Sequence, residues 1–193
     1  MLIVFIGPPG VGKGTQCRRL LAHLNVPHLS TGELLREAIR GNTEIGRQSS
    51  VYMDQGKLVP DSFVLTLVRE KLARPGFDRG CLFDGFPRSL VQARALDQLL
   101  DERGTPIDVV LELIADENVL IDRMHKRAVQ ENRADDNPQT IAHRMEVFRQ
   151  QTAPLRDYYR TQGKLVNIHA LGTPDEVFER VRTAVDARRP PQA

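Results

Sequence analysis

The apolar run Leu2–Ile6 passes directly into Gly7-Pro-Pro-Gly-Val-Gly-Lys13-Gly-Thr15, and that into a helical pattern from Gln16 to Leu24. A strand, a glycine-rich loop bearing a lysine, and a helix form a phosphate cradle. Glycine has no Cβ, so backbone N–H groups can turn inward on an anion. The helix N-terminus adds partial positive charge. Lys13 stands within reach of the β- and γ-phosphates of a nucleoside triphosphate. The general pattern puts a hydroxyl directly after the lysine. Here Gly14 intervenes and the hydroxyl comes at Thr15. A flexible turn with a solvated lysine does not account for four glycines and two prolines around that lysine.

Short apolar runs then alternate with helical patterns. The runs are Pro27–Leu29, Cys81–Phe83, Val109–Ile114 and Lys164–Ile168. The amphipathic stretches are Asp61–Leu72, Ser89–Leu100, Glu117–His125, Pro138–Tyr159 and Pro174–Ala187. Such alternation gives a parallel sheet covered on both faces. Its ligands sit at the carboxyl ends of the strands, where the phosphate loop lies. The expected class is α/β: a P-loop nucleoside triphosphate hydrolase-type fold with five parallel strands, flanking helices and two insertions. The first insertion, Thr31 to Pro60, starts at a capping box, Ser30-Thr-Gly-Glu33. The second, Arg127 to Asn137, is polar and precedes Pro138, which suits the first position of a helix capped by Asn137. Both are read as mobile insertions over the ligand edge, the first with polar helical pieces, that close over bound substrates to exclude water.

The 193 residues suit one domain with insertions. A net charge of +2 gives no sign of a nucleic-acid tail or a membrane surface. No apolar run approaches the ~18 residues of a membrane span, and the start of the chain does not have the layout of a secretory signal. A cytoplasmic protein is expected. Cys17 and Cys81 read as small packing residues, and no Cys-x-x-Cys pair is present to hold zinc. The five histidines show no metal-ligand spacing and read as structural.

The second informative stretch is Gly80-Cys-Leu-Phe-Asp84-Gly-Phe-Pro-Arg88. A carboxylate ending a strand beside a phosphate loop can hold Mg²⁺ directly or through its waters. Arg88 offers a planar fork to a phosphate. Further arginines fall in the insertions or near strand ends: Arg36, Arg123 and Arg127 on one helix face, Arg133, and Arg144 beside the stripe Ile141, Met145, Phe148. Phosphoryl transfer spreads negative charge over several oxygens, and an arginine cage answers that need.

With these residues in view, the chain resembles adenylate kinase. The resemblance rests on Gly7–Gln16, Leu29-Ser-Thr-Gly-Glu-Leu-Leu-Arg36, Gly56-Lys-Leu-Val-Pro-Asp61, Asp84–Arg88 with Gln92, and Arg133-Ala-Asp-Asp136 followed by Arg144. The segments run in the family's order and spacing across nearly the whole chain, and the glycine after Lys13 is normal in the family. The resemblance implies one adenylate kinase domain, 1–193, with an AMP-binding insertion at 30–59 and a short lid at 126–136. It implies the reaction ATP + AMP to two ADP, with Mg²⁺ and no zinc, in a monomer. Gly10, Val11, Gly12, Lys13, Gly14 and Thr15 would hold the ATP phosphates. Arg123 and Arg127 would clasp ATP from the lid side, and Gly172 would lie near its adenine. Thr31, Arg36, Lys57, Leu58, Val59, Gly85, Phe86, Pro87, Arg88 and Gln92 would bind AMP. Arg133 and Arg144 would bridge the moving phosphoryl group and the AMP phosphate. Asp84 would orient Mg²⁺ through water.

Two departures stand out. The lid is the short form without a four-cysteine zinc insertion, and Asn132 precedes Arg133 where the family usually has glycine. Kinases acting on UMP or CMP are the nearest rivals. They tend to have alanine in place of Thr31 and asparagine in place of Gln92, so the sequence leans to AMP. A GTPase-like switch is a rival of another class. The chain lacks Asn-Lys-x-Asp, and its one Asp-x-x-Gly match, Asp101–Gly104, ends a helical run and not a strand.

Overall fold

The computed structural model describes residues 1–77, 80–130 and 138–189, with the backbone alone at 126–130. Five strands form one parallel sheet: β1 (Leu2–Ile6), β2 (His28–Ser30), β3 (Cys81–Asp84), β4 (Val109–Ile114) and β5 (Leu165–His169). Their spatial order is β2-β3-β1-β4-β5. The chain leaves β1 toward one edge for β2 and β3, then crosses to the other side for β4 and β5. The strand order therefore switches beside β1, where open α/β sheets bind ligands.

Side chains alternate across the sheet, and so do the two cores. Leu2, Val4 and Ile6 of β1 pack with Phe83, Val110 and Tyr159 in one buried cluster. Ile3 and Phe5 pack with Leu82, Leu111 and Val181 in the other. Strands buried on both faces read as unbroken apolar runs, which is why β1, β3 and β4 were visible as such.

The helices are α1 (Lys13–Leu24), α2 (Thr31–Arg40), α3 (Glu44–Asp54), α4 (Asp61–Leu72), α5 (Leu90–Asp101), α6 (Glu117–Gln130), α7 (Pro138–Val147), α8 (Leu155–Thr161) and α9 (Pro174–Asp186). The expected box at Ser30 is half made. Its hydroxyl accepts from the Glu33 N–H at 3.4 Å, but Glu33 does not reach back. The full reciprocal box stands at the start of α9, between Thr173 and Glu176. Pro138 does begin α7, while Asn137 lies outside the described residues. The stretch Pro138–Tyr159, expected as one helix, is three pieces. A π-helical turn, Phe148–Thr152, follows α7, and Pro154 precedes α8. Proline lacks the N–H an uninterrupted helix needs and crowds the preceding turn. Asp101 ends α5, so Asp101–Gly104 leaves a helix, as expected.

Candidate active site

The phosphate loop is built by backbone geometry. Gly10 has φ +79°, and a Cβ there would stand 2.7 Å from the Leu120 carbonyl oxygen. Any other residue meets both a strained backbone and a clash. Lys13, the first residue of α1, folds back over the loop: its Nζ donates to the carbonyls of Gly7 (2.7 Å) and Pro8 (2.9 Å). Its amino group is driven down to about 7, first by burial, with Arg88 and Arg144 adding to the fall and Asp84 opposing it.

Two cavities open at the carboxyl ends of the strands. One is lined by the whole loop Gly10–Thr15 with Asp84, Arg123 and Gly172. The other is lined by Thr31, Lys57, Leu58, Val59, Pro87 and Gln92, with Thr152 from the π-helical turn. Lys13, Arg36, Gly85, Arg88 and Arg144 line both. Every described residue expected at ATP or magnesium therefore lies on the first cavity. The described residues expected at AMP lie on the second, with one exception. Phe86 is fully buried and packs on Phe83, with ring centroids 6.3 Å apart. Its side chain is part of the core, because the turn after β3 sends alternate residues inward and outward. The side chain of Arg127, and all of Asn132, Arg133 and the segment 131–136, lie outside the described residues.

Arg88 is fixed from three sides. Its Nε donates to the Gly85 carbonyl at 2.8 Å, its N–H donates to Gln92 Oε1 at 2.8 Å, and its carbonyl accepts from Thr152 Oγ1 at 2.8 Å. Gly85, at φ +71°, leaves the room: a Cβ there would lie 2.9 Å from Arg88 Nη2. Burial, and after it the nearby Arg144, lower Arg88 to about 10, with Asp84 opposing. Two half-buried guanidinium groups brought this close form a receptor for a polyanion. Arg123 sits at the rim, donating to the carbonyls of Ala170 (3.1 Å) and Val11 (3.5 Å).

Gln92 is 2% exposed, buried and not solvated. Its Nε2 donates to Asp61 Oδ1 at 2.7 Å, and Ser89 Oγ donates to the same carboxylate at 3.0 Å. Thr31 Oγ1 donates to the Gly85 carbonyl at 2.8 Å. Asp61, Ser89 and Thr152 were missed as site residues in the sequence. The polar pair Asp61 and Ser89 at two helix starts was the available signal, but nothing in the spacing joined them.

A family model described as adenylate kinase matches residues 5–164. The chain belongs to the adenylate kinase family. It is 47% identical over 188 residues to an adenylate kinase of Thermobifida fusca, covering 97% of this chain and all of that one. Adenylate kinases of Thermus thermophilus and Bifidobacterium longum are 45% and 43% identical, over 95% and 94% of this chain and 96% and 97% of theirs. The five-stranded parallel sheet flanked by helices is that of the family's P-loop α/β fold.

Proposed function

We propose that the loop cavity holds ATP and its neighbour holds AMP, with one phosphoryl group passing between them at the cations the cavities share. The chain is by its family an ATP:AMP phosphotransferase. One observation carries the residue-level reading: Lys13, Arg36, Arg88 and Arg144 line both cavities. A phosphoryl group leaving one nucleotide for another must cross such a junction, and its charge must be met throughout.

Gly10–Thr15 receive the ATP phosphates. Lys13 exchanges two neutral carbonyls for phosphate oxygens, a stronger charge-assisted contact. Arg123 and Arg127 close on ATP from the lid side, and Gly172 lies by its adenine. Thr31, Arg36, Lys57, Leu58, Val59, Gly85, Pro87, Arg88 and Gln92 hold AMP. Arg133 and Arg144 span the moving group. The hard oxygen donors on the loop cavity, the Asp84 carboxylate and the Thr15 hydroxyl, fit Mg²⁺ with its waters. When bound, that ion neutralises phosphate charge. We assign 30–59 as the AMP-binding insertion and 126–136 as the lid of one domain, 1–193, in a cytoplasmic monomer. No helix among the described residues is long and apolar enough to cross a membrane.

The test is a coupled assay of ATP with AMP, CMP, UMP and GMP. AMP is expected to lead widely. Equal rates with CMP or UMP would favour the pyrimidine-kinase reading. Acceptor-independent hydrolysis alone would favour a switch.

A further inference from the structure

Cys17, His28 and Asp84 are far apart in the sequence, yet the sheet brings them together. In the β2–β3 register His28 pairs with Leu82 and Ser30 with Asp84, so His28 and Asp84 are two residues apart along one face. Leu82 belongs to the core cluster that also contains Cys17 of α1, which places that face toward Cys17. The Cys17 thiol, a His28 ring nitrogen and an Asp84 carboxylate oxygen all lie within 4.8 Å of one another. His28 Nε2 faces Asp84 Oδ2 at 3.9 Å and is buried without a hydrogen-bond partner. A buried ring nitrogen of that kind is unusual enough to need a reason.

We propose that Cys17, His28 and Asp84 form a binding site for a zinc-class divalent ion, entered from the nucleotide cavity at Asp84. Thiolate, imidazole and carboxylate are a borderline-soft set that selects zinc over magnesium. Ligand atoms around a tetrahedral zinc stand roughly 3–4 Å apart, so small side-chain rotations close the observed spacing. His28 Nδ1 lies 4.0 Å from Glu33 Oε2. Carboxylates thus face both ring nitrogens, Asp84 at Nε2 and Glu33 at Nδ1, and an ion taken at Nε2 would leave the proton on Nδ1 beside Glu33. On binding, the Cys17 S–H bond breaks, its sulfur pair goes to the ion, and one proton leaves to solvent. Without metal the thiol stays protonated, because burial and then Asp84 hold its pKa well above the usual range. The ion is a reversible occupant, unlike the lid zinc of other family members.

The site draws on Asp84, so an ion there removes the carboxylate from the nucleotide. That consequence rests on the function proposed above, whereas binding rests on the three side chains alone. The experiment titrates the full, nucleotide-free chain with Zn²⁺ by calorimetry and with Co²⁺ by absorbance, and assays turnover with and without Zn²⁺. The expected result is one ion per chain, a thiolate-to-cobalt charge-transfer band and release of a proton. Cys17→Ala and His28→Gln should keep basal activity and weaken Zn²⁺ binding at least tenfold. Unchanged affinity in both variants, or a cobalt complex without the thiolate band, overturns the site. If a variant misfolds, the wild-type cobalt spectrum still decides. Binding without loss of turnover supports the site and counts against Asp84 as the nucleotide's carboxylate.

Discussion

The Asp61 carboxylate fixes the direction in which the Gln92 amide faces. Nε2 donates to Asp61 Oδ1 at 2.7 Å, while Oε1 accepts the Arg88 N–H at 2.8 Å. Turning the amide over would set oxygen against carboxylate and N–H against N–H. One lone pair and one N–H remain for a base, in a fixed order. An adenine edge asks for such an ordered donor and acceptor.

Gln92→Ala is therefore expected to lower kcat/KM for AMP about a hundredfold, two lost contacts at ~1–3 kcal/mol each. Asp61 lines neither cavity, and Asp61→Ala should cost about tenfold by freeing the amide to turn. Asp61→Asn can still offer an oxygen and should lie nearer the parent. Kinetics with AMP, CMP and UMP check this. If Asp61→Ala leaves AMP preference intact, the carboxylate does not set the amide.

Arg88→Lys should fail to restore activity, since lysine keeps a charge but loses the fork and the Nε contact with Gly85. A fall of roughly a hundredfold or more in kcat/KM for AMP is expected. Thr152→Val tests the support beneath Arg88. It removes one hydrogen bond to the Arg88 carbonyl, worth ~1 kcal/mol. AMP KM should rise severalfold while ATP KM stays put. An equal change in both would show a general loosening.

The apolar runs, the glycines and the arginines were legible because each acts through local chemistry: strand burial, positive φ, fixed charge. Lys13, Asp84 and Arg88 line the cavities at the carboxyl ends of the strands. Partners across the fold were not legible. Asp61 meets Gln92 only because α4 and α5 start side by side. Cys17 and His28 looked structural because their nearness to Asp84 arises from strand register for His28 and from the packing of α1 on the sheet for Cys17. The break at Phe148–Thr152 escaped because the helical periodicity of Pro138–Tyr159 runs past Pro154.

Glu112 shows the same limit. It interrupts the apolar run of β4, is 1% exposed, and is bonded by Arg156 of α8 at 2.6 to 2.9 Å. Arg156→Met should strand a buried carboxylate and cost ~3–5 kcal/mol. Glu112→Gln should cost less, since the Arg156 side chain is 40% exposed and can turn to water. Denaturant melts of both variants check the order. If Glu112→Gln is the more damaging, the ion pair is not what holds the carboxylate.

Lys13 at the ATP phosphates, as proposed above, is expected to make nucleotide binding proton-linked. Its amino group is held down to about 7, chiefly by burial, with Arg88 and Arg144 adding to the fall and Asp84 opposing it. At pH 8 roughly nine chains in ten then carry it neutral. ATP phosphates favour the charged form, so binding at pH 8 should take up close to one proton at Lys13. The phosphate itself, with a pKa of about 6, is already ionised. The sign follows: ATP affinity falls as pH rises above 7. Folding has the opposite slope. The unfolded chain binds more protons than the native one between about 7 and the ordinary value of 10.5, so this group's stability penalty is relieved as pH rises through that range. Calorimetry in buffers of different ionisation heats measures the uptake. It should be near one at pH 8, small at pH 6, and absent in Lys13→Met. Uptake that persists in Lys13→Met would assign the proton to another group.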